Sequence, residues 1–470
     1  MKVPISPPAS GPHAVKEFES IDRFLLAIQL AGGPTEEGKY RHWDTLRHLR
    51  PPGDLTSTEW WVGIKSARRQ LYLGLPLSDK AGVPFVYATT VPGLEMLHRV
   101  DRDASGTIQA PEQVTDPASR DTYLIRSLVE EAITSSQLEG ASTTRKVAKE
   151  MIREGREPRT RSERMILNNY QGMEFIRRFV GQPLTPSIIL ELQTILVEGT
   201  LDEPDAAGRY RRDDEGIAVT DELGNVLHSP PPAAEIPHRI DRLCGFANAY
   251  LSEKKTPRSS LASPDWIHPV VRAILIHFMI GYDHPFVDGN GRTARALFYW
   301  SMASQGYWLA EFVSISRILK RARTPYARAF LYTETDENDT TYFILYQLRV
   351  FLRAIEDLHV YLARKAEEIR STELTLKSAK ALREKLNDRQ LALMAHAIKH
   401  PEAIFTIDSH RRSHGVSYQT ARTDLRSLAH QKLLTEKKSG RAFEYSPAED
   451  LTARIGKAAS RLFATSISSL

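Results

Sequence analysis

The sequence predicts a mainly α-helical protein with small β-hairpins set into it, and three observations carry that expectation. Apolar residues recur at helical spacing in three long stretches, Leu124 to Ile133, Ile267 to Met279 and Phe343 to Leu358. Strand-like runs are short and sit beside Gly, Asn and Pro, as hairpins do. Residues 386–448 follow the order helix, helix-turn-helix, hairpin, which is a winged-helix pattern.

The bulk composition narrows the classes. A chain of 470 residues is long enough for two or three domains with substantial cores. Apolar residues at 41% and charged residues at 26% are ordinary for a soluble globular protein. The lone Cys244 excludes an intramolecular disulfide framework and a cysteine-rich zinc site, and fits a reducing compartment. It lies in the run Leu243-Cys244-Gly245-Phe246 and reads as a small buried hydrophobe rather than a nucleophile. The most apolar run, Val270 to Tyr282, is interrupted by Arg272 and His277 and is too short to span a bilayer. No membrane partner and a cytoplasmic location are expected. A net charge of +5 is mild, so local clusters must decide any nucleic-acid role.

Taken in order, residues 1–15 are rich in Pro and Gly, carry no secretory signal, and read as disordered. Residues 16–115 read as an accessory region of short helices. Its Trp60, Trp61, Ile64 and Leu71 fit the buried face of a helix better than an aromatic platform for nucleic acid. Residues 116–365 form the main domain. Its first helix, from Asp116 to about Glu154, carries the stripe Leu124, Ile125, Leu128, Val129, Ala132 and Ile133, which turns polar at Ser136 and Glu139 before Gly140 stops it. An inward carboxylate needs a cation, so Glu139 either reaches an arginine elsewhere or sits solvated on a frayed end. Spacing alone does not choose.

From Gly208 to Pro232 the chain is non-helical, and Ile217–Thr220 and Val226–His228 flank a turn at Asp221–Asn225. Such a hairpin offers a strand edge to an extended peptide, or is a plain surface excursion. Trp266 to Gly281 reads as a helix with Ser263-Pro264 as its start signal. Residues 366–385 read as a helical or loosely ordered connector, and 449–470 as a tail. In the winged-helix segment Asn387 and Gln390 form a capping box, Phe405 to Ile407 a short strand, and Asp408 and Ser417 cap the two helices. Residues 385–447 hold eleven Lys and Arg against six Asp and Glu, so this segment is basic.

The chemistry concentrates in His284-Pro285-Phe286-Val287-Asp288-Gly289-Asn290-Gly291-Arg292-Thr293-Ala294-Arg295. Glycines ahead of a helix expose N–H groups where the helix field favours anions. Arg292 and Arg295 project from one side of that helix. The acid oxygen of Asp288 suits a hard cation such as Mg²⁺ on substrate phosphates. The residues read as a polyphosphate cradle with His284 as a base at its mouth.

This segment resembles the signature of the Fic family, His-Pro-Phe-x-(Asp/Glu)-Gly-Asn-Gly-Arg-x-x-Arg, at every specified position. The likeness extends over roughly residues 120–360, through Gly208-Arg209, the hairpin, His277 and Asp339-Thr340. It implies a Fic-type helical core and transfer of AMP from ATP to a Ser, Thr or Tyr hydroxyl of a protein. By the same resemblance His284 is the general base, Asp288 holds Mg²⁺, and Gly289, Asn290 and Gly291 form the anion hole. Arg292 then stabilises the β-phosphate and Arg295 binds the γ-phosphate. Gly291 stands where relatives resembling the Doc toxin carry Lys and transfer phosphate, which favours AMP transfer here. Ser135-Ser136-Gln137-Leu138-Glu139-Gly140 is similar to the family's inhibitory motif, so Ser135, Glu139 and Gly140 become its residues and Glu139 is expected to pair with Arg295. Val226, Leu227 and His228 correspond to the flap that aligns the target, and Asp336 falls near a position that contacts adenine in some relatives.

The C-terminal segment resembles winged-helix DNA-binding domains of bacterial regulators. Gln419, Thr420, Arg422, Thr423 and Arg426 would face a major groove, and Lys437, Lys438 and Arg441 phosphates. A protein-interaction or dimerisation module is the alternative, and a homodimer is left open. Two other accounts stand beside an autoinhibited adenylyltransferase. One is a hydrolase removing AMP from a modified protein, and the other a DNA-binding regulator whose core senses nucleotide.

Overall fold

The computed structural model describes residues 1–9, 18–105, 117–221, 223–253, 266–382, 386–399, 403–439, 442–448 and 451. They fall into two compact units, Met1–His359 and Val360–Leu470. Among the described residues no helix is long and apolar enough to cross a membrane.

In the first unit, α1 (Ile21–Ala31) begins on Ser20, whose hydroxyl accepts from the Arg23 N–H, and stops at Gly32 in the left-handed region. Helix α2 (Ser57–Arg69) starts with a full capping box between Thr56 and Glu59. The two helices touch at Gly63, where a Cβ would come within 2.4 Å of the Ala27 carbonyl oxygen. Trp60, Trp61 and Ile64 are buried against α1 and Leu46, so the tryptophans serve the core. An antiparallel pair follows, β1 (Tyr72–Ser78) and β2 (Pro84–Ala88), and then α3 (Val91–Val100).

Residues 18–105 belong to the same compact unit as the main core. Val86 of β2 bonds through its backbone to Asn338 and Thr340, at 3.1 and 2.8 Å. Beneath that junction Lys65, Arg68, Asp336 and Asp339 are all buried, with Lys65 Nζ donating to Asp336 at 2.6 Å. Charges so far from water persist only when paired, and the pairing fastens the N-terminal helices to the main core. Residues 1–9 also depart from the expected disorder. The Ile5 N–H donates to Asp44 at 3.2 Å and the Met1 amine pairs with Asp221; residues 10–15 lie outside the described residues.

The main core is helical. The long helix expected from Asp116 to Glu154 is two helices, α4 (Pro117–Leu138) and α5 (Arg145–Glu154), broken at Gly140, whose φ of +98° favours glycine. In α4 Leu124, Leu128, Val129, Ala132 and Ile133 are buried, whereas Ile125 is exposed. Next come α6 (Arg161–Arg177), α7 (Pro186–Val197), the hairpin β3 (Val219–Thr220) and β4 (Val226–His228), and α8 (Ile236–Asn248). Central to the unit are α9 (Pro269–Asp283) and α10 (Asn290–Ser304), which flank the signature loop and are buried along almost their whole length. Each fully buried aliphatic or aromatic side chain there contributes about 1.5–3 kcal/mol. Helix α9 is capped by His268, with Pro269 at its first position, while Ser263-Pro264 lies outside the described residues. Helices α11 (Ile315–Arg321) and α12 (Arg323–Thr335) then pack back, and α13 (Thr341–Leu382) is one 42-residue helix. The expected connector is therefore helical as far as Leu382.

The second unit contains α14 (Asp388–Lys399), β5 (Phe405–Thr406), α15 (Ile407–His414), α16 (Tyr418–His430), β6 (Leu434–Ser439) and β7 (Ala442–Pro447). Its sheet has three strands in the order β5-β7-β6, one more than the expected wing. The Asn387–Gln390 capping box is present in both directions, at 3.1 and 2.9 Å. Thr406, not Asp408, caps α15, because its hydroxyl accepts from Ser409 while Ser409 bonds back to the Thr406 N–H. Leu393, Met394, Ala397, Ala421, Leu425, Leu428 and Tyr445 form the core of this unit.

Candidate functional site

The signature loop is built largely from its own residues. Asn290 accepts from the Phe286 N–H at 3.0 Å and donates to the Phe286 carbonyl at 2.8 Å, closing the loop on itself. Phe286 is fully buried beneath it, stacked on Tyr210 at 6.1 Å. Gly289, at φ +89°, precedes α10, and no side chain caps that end. The first N–H groups of the helix, at Asn290 and Gly291, therefore face outward without intrahelical partners. Asp288 is half-exposed; it accepts from the Gly289 N–H at 2.6 Å and from Arg292 Nη2 at 3.0 Å. Arg292 is fully buried and also donates to the Leu196 carbonyl at 2.6 Å. Its guanidinium holds the loop to α7, and only a change of partners would present it to a β-phosphate.

His284 ends α9 in the left-handed region, at φ +45°. A non-glycine residue there is costly, and neighbouring bonds hold it. Its Nδ1 lies 3.2 Å from the Gly281 carbonyl, which leaves Nε2 with the free lone pair. Burial holds the imidazole below its usual range, against the pull of that carbonyl. Arg211, buried, donates to the His284 carbonyl at 2.8 Å, and its own N–H bonds the Pro285 carbonyl at 2.9 Å. Gln193 clamps the other side of the loop, donating to the Asp288 carbonyl at 3.2 Å and accepting from Gly208 at 2.7 Å. Sequence reading missed both. It singled out Arg209, but that side chain pairs with Glu215. The only signal for Arg211 was a second arginine two residues on.

Arg295, the second arginine of the signature, is buried as well. Its Nε donates to Ser135 Oγ at 2.9 Å, and Nη2 to the Ser135 carbonyl at 3.3 Å and to Glu139 Oε1 at 2.7 Å. Burial opposes its charge, and Glu139, Tyr326 and Glu131 together more than restore it. A Cβ at Gly291 would come within 2.2 Å of Glu139 Oε1, so the carboxylate is pressed against the backbone of the anion cradle. The end of α4 is held there by distant residues. Asn169 donates to the Ala132 carbonyl at 3.2 Å, Lys320 to Gln137 Oε1 at 2.7 Å, and Arg323 to the Gln137 carbonyl at 2.8 Å.

Two expected site residues lie elsewhere. Asp336 is buried, with its two oxygens taken by Lys65 at 2.6 Å and Tyr342 at 2.7 Å. It fastens the N-terminal helices to the main core. In the hairpin Val226 is exposed and Leu227 half-buried, but His228 turns inward, so it anchors the hairpin instead of presenting a docking surface.

In the second unit Gln419, Thr423, Arg426, Lys437 and Lys438 are exposed, and Thr420 and Arg422 half-buried. Gln419, Arg422, Thr423 and Arg426 line one hollow together with the acid Glu436. The one acid of α16, Asp424, points inward to Asn387 at 2.8 Å, Arg389 at 2.8 Å and His410 at 3.2 Å. Arg441 lies outside the described residues.

Residues 183–302 match the Fic/DOC family model, which spans the signature and its two helices. Over 145 residues the chain is 28% identical to the protein adenylyltransferase Fic of Drosophila mojavensis, covering 30% of this chain and 25% of that protein. The same protein of Drosophila melanogaster matches at 28% over 145 residues, again 30% and 25% of the two chains. This chain thus spans about a quarter of the length of the curated relatives it matches. A solved Fic family protein from Desulfovibrio desulfuricans G20 is similar at 18% identity and a TM-score of 0.48, covering 77% of this chain and 98% of that one.

Proposed function

This is a Fic family protein, and we propose that it transfers AMP from ATP to a hydroxyl group of a protein side chain, with Glu139 holding the reaction off. The observation that carries the reading is the 2.7 Å bond from Arg295 to Glu139 beside the open N-terminus of α10.

His284 is the base. With Nδ1 committed to the Gly281 carbonyl, its Nε2 takes the proton of the attacking hydroxyl. The hydroxyl oxygen bonds to the α-phosphorus, the bond from that phosphorus to the oxygen bridging to the β-phosphate breaks, and pyrophosphate leaves. Outward N–H groups at Asn290 and Gly291 stabilise the charge that develops on the phosphates. Asp288 would hold Mg²⁺, which when bound supplies positive charge across the α- and β-phosphates. The donor set suits that ion: one half-exposed carboxylate, with no cluster of three metal-ligating side chains among the described residues. Phosphate oxygens and water would complete the shell, as Mg²⁺ prefers. The α4 end stops the reaction by occupying Arg295, whose guanidinium would otherwise pair with the γ-phosphate. Val226 and the β3–β4 edge would align the target chain by strand addition.

Incubation with labelled ATP and cell lysate tests this. Glu139→Gly is expected to raise incorporation at least tenfold, and adding His284→Ala to remove it by roughly 10²–10⁴-fold. Unchanged incorporation in Glu139→Gly would remove inhibition from the account. A hydrolase removing AMP has one observation in its favour: Glu139 Oε2 bonds to no described residue and could orient a water. Mass spectrometry of a target modified beforehand and incubated without ATP separates the two, because the unaltered chain lowers AMP on it, and Glu139→Gly does not, only if the chain is the hydrolase.

The C-terminal unit is best read as a DNA-binding module. The inward Asp424 leaves the outer face of α16 with Arg422 and Arg426, neither in a salt bridge with any described residue. Binding to duplex DNA should weaken steeply with salt, at about 0.9 log units per log unit for each phosphate contacted. Salt-independent self-association without DNA binding would favour a dimerisation module.

A further inference from the structure

The flap hairpin is tied to the catalytic helix by one ring. His228, at the end of β4, is buried, with Nδ1 2.7 Å from Glu334 Oε2 on α12 and Nε2 2.7 Å from the Tyr282 carbonyl at the end of α9. A carbonyl oxygen accepts only, and an ionised carboxylate accepts only. A neutral imidazole has one N–H and could satisfy one of the two. We propose that His228 is held as the imidazolium, and that this ring, donating from both nitrogens, is the pin that sets the flap against the helix ending at the catalytic base.

The surroundings favour a cation at that point. The last carbonyls of α9 lack intrahelical partners and carry the negative end of the helix dipole. From Gly281 onward each has its own donor: His284 Nδ1 on Gly281, His228 on Tyr282, and Arg211 on Asp283 and His284. Glu334 has no other salt-bridge partner among the described residues. The other charged groups near the ring have bonding partners of their own. Asp283 is paired with Arg239 of α8 at 2.7 Å, and Arg239 also bonds the Asp79 and Ser78 carbonyls. Lys80, between β1 and β2, points its amine to the Ser229 carbonyl at 3.1 Å. Tyr282 packs against the ring at 4.8 Å and takes the Lys80 N–H on its hydroxyl. A positive His228 also contributes to holding the His284 imidazole below its usual range, so the pin helps keep the base unprotonated.

His228 is thus a positioning residue. Losing one proton breaks one of its two bonds and frees β4 from α9 or α12, and with it the edge that would align the target. The pin rests on the flap reading above for its purpose, but its charge can be read without any activity. Full-length protein labelled with ¹⁵N-histidine is examined by nitrogen–proton correlation at pH 7, and the His228 signals are identified by their loss in His228→Gln. The expected pattern is two protonated nitrogens, reverting to one in Glu334→Gln. Hydrogen exchange over residues 219–228 should quicken about tenfold in both variants, while exchange in α10 stays unchanged. A single protonated nitrogen in the unaltered protein overturns the charged pin, and unchanged exchange overturns its hold on the flap. If Glu139→Gly incorporates no AMP, the transfer reading fails, and the spectra still decide the pin.

Discussion

The signature loop and the end of α4 meet at Arg295, yet the loop is also closed by its own residues and the end of α4 is held by distant ones. Within the loop the bonds are short-range in sequence, Asn290 to Phe286, Asp288 to Gly289 and Arg292 to Asp288, and Arg211 and Gln193 clamp it from outside. At the end of α4 the bonds come from far away, from Asn169, Arg295, Lys320 and Arg323. A locally closed loop is formed whenever its own residues are ordered. A segment held by distant groups can be released by changing any of them. The difference suits the proposed function, in which the chemistry is constant and Glu139 controls access.

The largest effect that tests this contrast is acid. Burial pushes His277, behind Arg295, down to about 3 and His42, in the N-terminal junction, down to about 4. Both rings stay neutral in the folded chain while the unfolded chain protonates them. The stability they hold is therefore present above pH 6.5 and drains as pH falls toward 3, by an order of 3–5 kcal/mol for each ring. Asp283 runs the other way. Burial raises it to about 6, so its cost at neutral pH is relieved as pH falls from 6 to its unfolded value. Chemical denaturation between pH 7 and pH 4 should show a net fall, steeper in Asp283→Asn. A flat profile would remove the buried-histidine account of the long-range contacts.

A smaller effect breaks the loop itself. Asn290→Ala leaves the Phe286 N–H and carbonyl buried without partners, each worth about 1–3 kcal/mol. The denaturation midpoint should drop, and AMP incorporation in the Glu139→Gly background should be lost with it. Retained incorporation would mean that the outside clamps, Arg211 and Gln193, hold the loop without Asn290.

The smallest effect sharpens the comparison where the two regions touch. Gly291→Ala places a methyl group against Glu139 Oε1. It should destabilise the unaltered protein by about 1–2 kcal/mol and much less in Glu139→Gly, a coupling that a double-mutant cycle reads directly. Gly291→Ala alone should also raise incorporation, because the carboxylate must give way. Additive effects would show that Glu139 does not press on the cradle.

Much of the site was legible in the residues alone. The order His284, Asp288, Gly289, Asn290, Arg292 and Arg295 builds its geometry from neighbours, so spacing suffices to recover the cradle. The helical stripes of α4, α9 and α13 and the caps of α14 and α16 were equally local, since periodicity and capping are short-range properties. What spacing left open for Glu139 was settled only when α4 and α10 packed side by side and brought Arg295 within 2.7 Å. Tertiary structure likewise took Asp336 into a buried ion pair with Lys65, turned His228 inward, and made Arg211 and Gln193 the clamps of the loop. The physical reason is common to all four. A buried charge or polar group is defined by the partner that compensates it, and that partner can lie hundreds of residues away, where no local pattern points to it.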